Sequence, residues 1–267
     1  MGSALHSVTI GDEIRPPRTI VYGTDKIGKT TFAAGAPAPI FLRSEDGLGV
    51  LQVPAFPPAQ SLDDVLGAVA ALITEPHVYR TLVIDSLDWL ERIVWAHTAK
   101  HKGVAHLEDL GYGKGYLFAD EHWRYLLKGL DRLRSDRRMG IILICHSEIR
   151  RFDAPDSAPY DRYQLKLHKR AAALVSEWAD VIGFAHFDTI IRESDVGFNK
   201  KVTRADDDGR VLFLVEKPAF DAGNRYGLPD KVRLEYSAYR DALKEALPAR
   251  TSAAPEITLP EEMAAHA

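Results

Sequence analysis

YGTDKIGKTTF, from Tyr22 to Phe32, is the stretch whose reading decides the fold. Gly23 is followed by four residues and then Gly28-Lys29-Thr30, the spacing of a loop that cradles phosphate. The glycines let the backbone curl so that successive N–H groups face phosphate oxygens, and a helix beginning near Lys29 adds its positive dipole end. The expected nucleotide-binding residues are therefore Gly23, Thr24, Asp25, Lys26, Ile27, Gly28, Lys29, Thr30 and Thr31. Lys29 can reach the β- and γ-phosphates of ATP as a point charge, and Thr30 supplies a hydroxyl ligand to Mg²⁺. Such a loop is shared by kinases, motors, switches and recombinases, so the surrounding chain has to choose among them.

Outward from the loop, strand and helix alternate. RTIVYG (Arg18 to Gly23) is a β-branched run ending at glycine, and GKTTFAAG can open a helix directly after it. PIFLRSE reads as a second strand; SLDD then offers Ser61 as a helix cap with Asp64 three residues on, and Leu62, Val65, Leu66, Val69 and Leu72 mark one helical face. TLVIDS is a buried strand, followed by an amphipathic helix with Leu87, Leu90, Ile93 and Val94 inward. The glycine-rich GYGKGY is expected as a flexible loop before a helix carrying Trp123, Leu126, Leu127 and Leu130, and GIILIC is the next strand. This alternation predicts an α/β fold, a mostly parallel sheet with helices on both faces. From Val181 the pattern turns to short strands expected to extend the sheet in antiparallel fashion, with Asp207, Asp208 and Gly209 as hairpin turn residues, before a helix near Tyr236 to Leu247. The chain thus divides into an N-terminal segment (1–17), one domain (18–247) and a small, proline-containing tail (248–267) expected to be disordered.

Three further positions extend the phosphate chemistry. Asp85 ends the apolar strand LVID, where an acid can hold magnesium; capping the next helix is its other possible use, which Ser86 can take over. Glu45, after PIFLRS, is placed to polarise an attacking water, with Asp46 as competitor. His146, after GIILIC, can sense a γ-phosphate or act as an ordinary hydrogen-bonded loop histidine.

With 267 residues the chain suits one sizeable domain, and 46% hydrophobic with 27% charged residues is ordinary for a soluble protein. No run approaches the roughly 18 apolar residues of a membrane span, and the first 18 residues do not read as a secretory signal, so a cytoplasmic location is expected. The single cysteine, Cys145, excludes an internal disulfide and a cysteine-based zinc site. His97 and His101 stand four apart on a predicted helix, but the sequence offers neither a metalloprotease glutamate beside them nor a clear third ligand. A net charge of −4 leaves nucleic acid to local basic stripes or loops. Two candidates fit: Tyr112, Lys114 and Tyr116 in GYGKGY, where aromatic faces and a lysine suit bases and phosphate, and the segment after His146, where Arg150, Arg151, Arg162, Lys166, Lys169 and Arg170 outnumber Glu148, Asp153, Asp156 and Asp161.

Taken together, GTDKIGKT, FLRSE, LVIDSLDWL and IILICHSEIR resemble the RecA-like P-loop ATPase core in order and loop position. More narrowly, GYGKGY, ICHSE, EWADVIGF and NRYGLPD make the chain similar, over about residues 18 to 230, to phage nucleotide-binding AAA proteins that act as RecA-like single-strand annealing proteins. The resemblance implies a RecA-like, Mg-dependent ATP hydrolase with Glu45 as general base, Asp85 in the second acidic motif and a loop after His146 that binds DNA. It implies stimulation by single-stranded DNA, annealing or pairing of that DNA in phage recombination within the host cytoplasm, and a single-strand binding protein as a further partner. Arg225, in NRYGLP, could act as an arginine finger between subunits of a ring or filament, or pair with a local carboxylate. The competing reading is a nucleotide-dependent assembly or switch ATPase that does not bind DNA; a small-molecule kinase, for which no arginine-rich lid is evident, ranks last.

Overall fold

A computed structural model describes residues 15–153, 158–195 and 201–247, and over 189–195 and 201–208 the backbone alone. The tail 248–267 and residues 1–14 of the N-terminal segment lie outside the described residues. In chain order the elements are β1 (Arg18–Gly23), α1 (Lys29–Ala34), β2 (Pro39–Arg43), α2 (Leu62–Thr74), β3 (Thr81–Asp85), α3 (Leu87–Lys102), α4 (Lys114–Asp136), β4 (Gly140–Phe152), β5 (Tyr160–Leu165), α5 (Lys169–Trp178), β6 (Val181–Asp195), β7 (Lys201–Phe213), β8 (Gly223–Asn224), β9 (Lys231–Arg233) and α6 (Tyr236–Ala246).

The main sheet has the order β2-β3-β4-β1-β6-β7-β9. Its first five strands are parallel, and β7 and β9 extend it in antiparallel fashion. Alternate residues of each parallel strand enter opposite cores, as a two-residue side-chain period requires. Ile20, Tyr22, Leu82, Ile84, Ile141 and Leu143 join the helices α2 to α5, whereas Val21, Val83, Ile142 and Ile144 join α1 and α6. Because α1 leaves β1 toward one face and α3 leaves β3 toward the other, a crevice opens beyond the carboxyl ends of these strands, where ligands of open α/β sheets bind.

Local signals explain several boundaries. Ser61 and Asp64 form a reciprocal capping box: the Asp64 amide donates to Ser61 Oγ at 3.2 Å and the Ser61 amide donates to Asp64 Oδ2 at 2.9 Å. Cys145 is fully buried in β4, as its apolar setting predicts.

Four expectations are corrected. GYGKGY is a turn and a helix start rather than a flexible loop. A 3₁₀ turn at Leu107–Leu110 leads into α4, which begins at Lys114. Gly115 serves packing, since a Cβ there would lie 2.5 Å from Leu107 O, whereas Gly111 and Gly113 supply the left-handed φ of 65° and 69° that the turn needs. The strand expected to end at Cys145 continues to Phe152, so the segment after His146 forms an antiparallel hairpin with β5. Asp207, Asp208 and Gly209 lie within β7, not at a hairpin turn. The register shifts there, with Asp208 and Gly209 opposite Asp188 alone, so this turn-like sequence makes a β-bulge in strands of 15 and 13 residues rather than short ones. Finally, Ser86 occupies the N-cap position of α3 but makes no capping bond, because its hydroxyl donates to Glu45.

Candidate nucleotide-binding site

The loop from Gly23 to Gly28 closes over the N-terminus of α1. Gly28 has φ 114°, a conformation that only glycine takes without strain, and a Cβ on Gly23 would collide with Ala185 O at 2.2 Å. Lys29 is buried at 5% exposure and donates to Gly23 O at 3.0 Å and Thr24 O at 2.8 Å. Burial lowers its pKa, with Asp25 and Asp85 opposing that shift. The buried ammonium thus lies in the curl of the loop, where an anion would offset its desolvation.

Across the crevice, Thr30 Oγ1 donates to Asp85 Oδ2 at 2.9 Å. Burial raises the Asp85 pKa, and the Thr30 bond opposes it. A hydroxyl and a carboxylate held this close, beside a buried lysine, are the oxygen donors Mg²⁺ takes in phosphate sites. Glu45 stands one strand over. Its Oε1 accepts the Ser86 hydroxyl at 2.7 Å, while Ser44 Oγ donates to Ser86 O at 2.6 Å. Asp46, the competing candidate, is 96% exposed and pairs with Arg43 at 3.9 Å, so of the two it is Glu45 that faces Asp85 and Ser86.

His146 lies where β4 leaves the parallel sheet, opposite Gly23. Its Nδ1 is 3.0 Å from both carboxylate oxygens of Asp88, and its Nε2 is 3.4 Å from Asp25. The bond to Asp88 raises the His146 pKa. On the other side, burial pushes Asp88 up but the His146 contacts outweigh it and its pKa falls, so both partners report an ion pair. Lys29, Thr30, Glu45, Asp85 and His146 line one cavity of roughly 700 Å³, together with Trp89, Arg92 and Lys166.

The structure therefore brings together the loop, Glu45, Asp85 and His146. It does not bring Arg225. That side chain donates to Glu177 O at 2.7 Å and lies 3.5 Å from Asp180, which pairs with Arg18 at the start of β1. The loop begins at the other end of β1, roughly 17 Å away for five steps of strand. Arg225 thus takes the local-carboxylate role within this chain, and any finger role would be toward another subunit.

The expected DNA-contacting residues divide. Tyr112 and Lys114 are exposed. Tyr116 is half-buried: its hydroxyl donates to Glu108 at 2.9 Å, and its ring stacks on His168 with centroids 3.9 Å apart. Arg150 pairs with Glu148 and donates to Leu167 O at 2.6 Å, beside that same His168. Arg151 is on the opposite side of β4 and pairs with Asp153 at 3.5 Å. Tyr116 and Arg150 thus share one surface through the 167–168 segment.

Sequence reasoning missed Asp88, Glu91, Trp89, Arg92 and Arg210, and it read Lys166 only as part of the basic segment after His146, not as a wall of the phosphate cavity. Glu91 had a visible signal, an acid at helical spacing between the inward Leu87 and Val94. Its two oxygens each accept the His168 amide at 3.0 Å, and burial pushes its carboxyl up to about 7. Arg210 had none: it donates from β7 to Ile27 O at 3.1 Å, across 183 residues of sequence. His122 was also missed; it meets His97 edge-on at 4.7 Å, but no cluster able to hold a metal ion occurs among the described residues. Among the described residues no helix is long and apolar enough to cross a membrane.

A phosphate loop between β1 and α1, an acid at the end of β3 bonded to the loop hydroxyl, and a parallel sheet covered on both faces define a P-loop nucleotide-binding domain. Residues 15–226 match the family model described as an AAA domain, and the chain belongs to that family. No curated protein matches the sequence.

Proposed function

We propose that the protein is an ATP hydrolase whose nucleotide state governs its binding of single-stranded DNA, and that it promotes annealing or pairing in phage recombination. The observation that carries the DNA half is the path of β4. This strand brings His146 to the phosphate cavity and, four residues on, Arg150 to the surface of His168 and Tyr116. One rigid element thus joins the place where a terminal phosphate would sit to a surface with aromatic and basic groups suited to bases and backbone phosphates.

For the nucleotide, Lys29 and the loop amides would hold phosphate, and Thr30 with Asp85 would hold Mg²⁺. The metal supplies neutralisation of phosphate charge when bound. Glu45 is the general base of this proposal: it lies beside Ser86 in the same cavity, where it can accept a proton from an attacking water. Asp88 keeps His146 oriented toward Asp25 and the loop.

The test is ATP turnover by the purified protein with single-stranded DNA, duplex DNA or RNA added, paired with DNA binding at rising salt. Stimulation confined to single strands, with binding that weakens as salt rises, is expected. Turnover indifferent to every nucleic acid would sink the DNA half. ATP-driven self-assembly unaffected by DNA would then favour the assembly or switch reading, which the net charge of −4 also suits.

A further inference from the structure

We infer that the base and ribose of the bound nucleotide sit in a second cavity, on the β7–β9 side of the phosphate loop, with Arg210 and Leu234 as the residues that make ATP bind better than its phosphates alone. This deepens the nucleotide reading and rests on it.

The direction of the phosphate chain comes first. Thr30 is bonded to Asp85 at the end of β3, and Glu45 follows β2, so the metal-holding and water-activating groups all lie on the β2–β3 side of β1. The terminal phosphates belong there. The other end of the chain must leave on the opposite side of the loop, where the sheet continues through β6 to β7 and β9.

That side carries a built wall. Arg210 donates to Ile27 O at 3.1 Å, and a Cβ on Gly28 would lie 2.8 Å from Arg210 Nη1 and 3.7 Å from Leu234 Cδ2. The Leu234 amide donates to Arg210 O at 2.9 Å, which ties the end of β9 to β7. Beyond this contact opens a cavity of roughly 700 Å³, within the usual range of about 300–1,000 Å³ for ligand pockets. Its walls mix apolar Val211, Val232 and Leu234 with the planar guanidinium of Arg210 and two ion pairs, Asp188 with Lys231 and Glu235 with Arg233. Apolar contact and a planar cation suit the two faces of a purine, and the oxygen lone pairs that the two ion pairs leave open can accept from the ribose hydroxyls.

Affinities for ATP and for inorganic tripolyphosphate, measured on the wild type, Arg210→Ala and Leu234→Ala, test the assignment. Each variant is expected to weaken ATP about tenfold while leaving tripolyphosphate within about twofold, so that the advantage of ATP collapses; a tenfold change is about 1.4 kcal/mol. Retained tripolyphosphate binding also shows that the variants are folded. Equal losses for both ligands would mean that these residues act on the phosphates or the loop, and unchanged ATP affinity would mean that the nucleoside lies elsewhere; either overturns the inference. Lys29→Ala separates it from the underlying reading, since that variant should lose both ligands, and full retention of both would overturn the phosphate site itself.

Discussion

Burial of the Glu91 carboxyl predicts a stability change near neutral pH, and Glu91→Gln isolates it. The group is 4% exposed on α3, accepts the His168 amide through both oxygens, and has its pKa raised from 4.5 to about 7. Burial is the main cause; the His168 amide and Arg150 oppose it, while Asp88 and Glu148 add to it. The folded chain holds the proton more tightly than the unfolded chain does, so the contribution to stability is complete below about 4.5 and is lost as pH rises through about 7. Integrating the two titrations, the buried charge costs the fold about 1 kcal/mol at pH 5.5 and about 3 kcal/mol at pH 8. Glutamine cannot ionise and keeps an oxygen for the His168 amide. Any fixed effect of its NH₂ group cancels when the two proteins are compared at two pH values. Denaturant unfolding should therefore show the variant gaining about 2 kcal/mol on the wild type between pH 5.5 and 8. A difference that stays constant within about 0.5 kcal/mol would refute the burial argument, because nothing else in the substitution depends on the titration of residue 91.

Three other outcomes bear on the site. Lys29→Ala should abolish ATP binding and turnover, whereas Glu45→Gln should bind ATP normally and slow turnover by roughly 10²–10⁴-fold, the usual range for a general base; unchanged turnover in Glu45→Gln would return the role to another group. Asp88→Asn should bring the His146 pKa down toward its ordinary 6.5, read by NMR titration of the imidazole. Because the wild-type His146 pKa is raised, the stability lost in this variant should be largest below about pH 6.5 and should fade as pH rises through the folded value. Arg225→Ala leaves every contact at the phosphate cavity in place, so turnover should recover on mixing it with Lys29→Ala only if Arg225 reaches a neighbouring subunit.

What could be read in the sequence was whatever depends on near neighbours along the chain. The loop glycines, the capping box at Ser61 and Asp64, and the apolar runs ending at Gly23, Arg43 and Asp85 are local patterns, and the sheet follows from their alternation. Two local patterns misled because tertiary packing reassigned them. Asp207-Asp208-Gly209 suits a turn equally well as a bulge, and only the pairing with Asp188 decides. GYGKGY looks flexible until Gly115 is seen to be required by the approach of Leu107 O. Arg210 had no readable cue, since its partner lies 183 residues away and the strand that carries it is ordered by β6 rather than by its own sequence.

The corrected β4 changes how the site can be understood. A strand ending at Cys145 would leave His146 on a free loop, able to move without consequence for the surface that carries Tyr116 and Arg150. In the structure His146 is a strand residue whose amide and ring both contact Asp88, in the first turn of the helix that starts beside Asp85. One turn further along that helix, Glu91 holds the amide of His168, whose ring lies on Tyr116. The acid that would hold magnesium and the surface that would meet DNA are thus joined by one helix through two successive carboxylates, both at most 6% exposed. Contact of this kind is a route and not yet a coupling. It does place the titrating Glu91 between the two, so the pH at which its charge appears is also the pH at which that route changes its electrostatics.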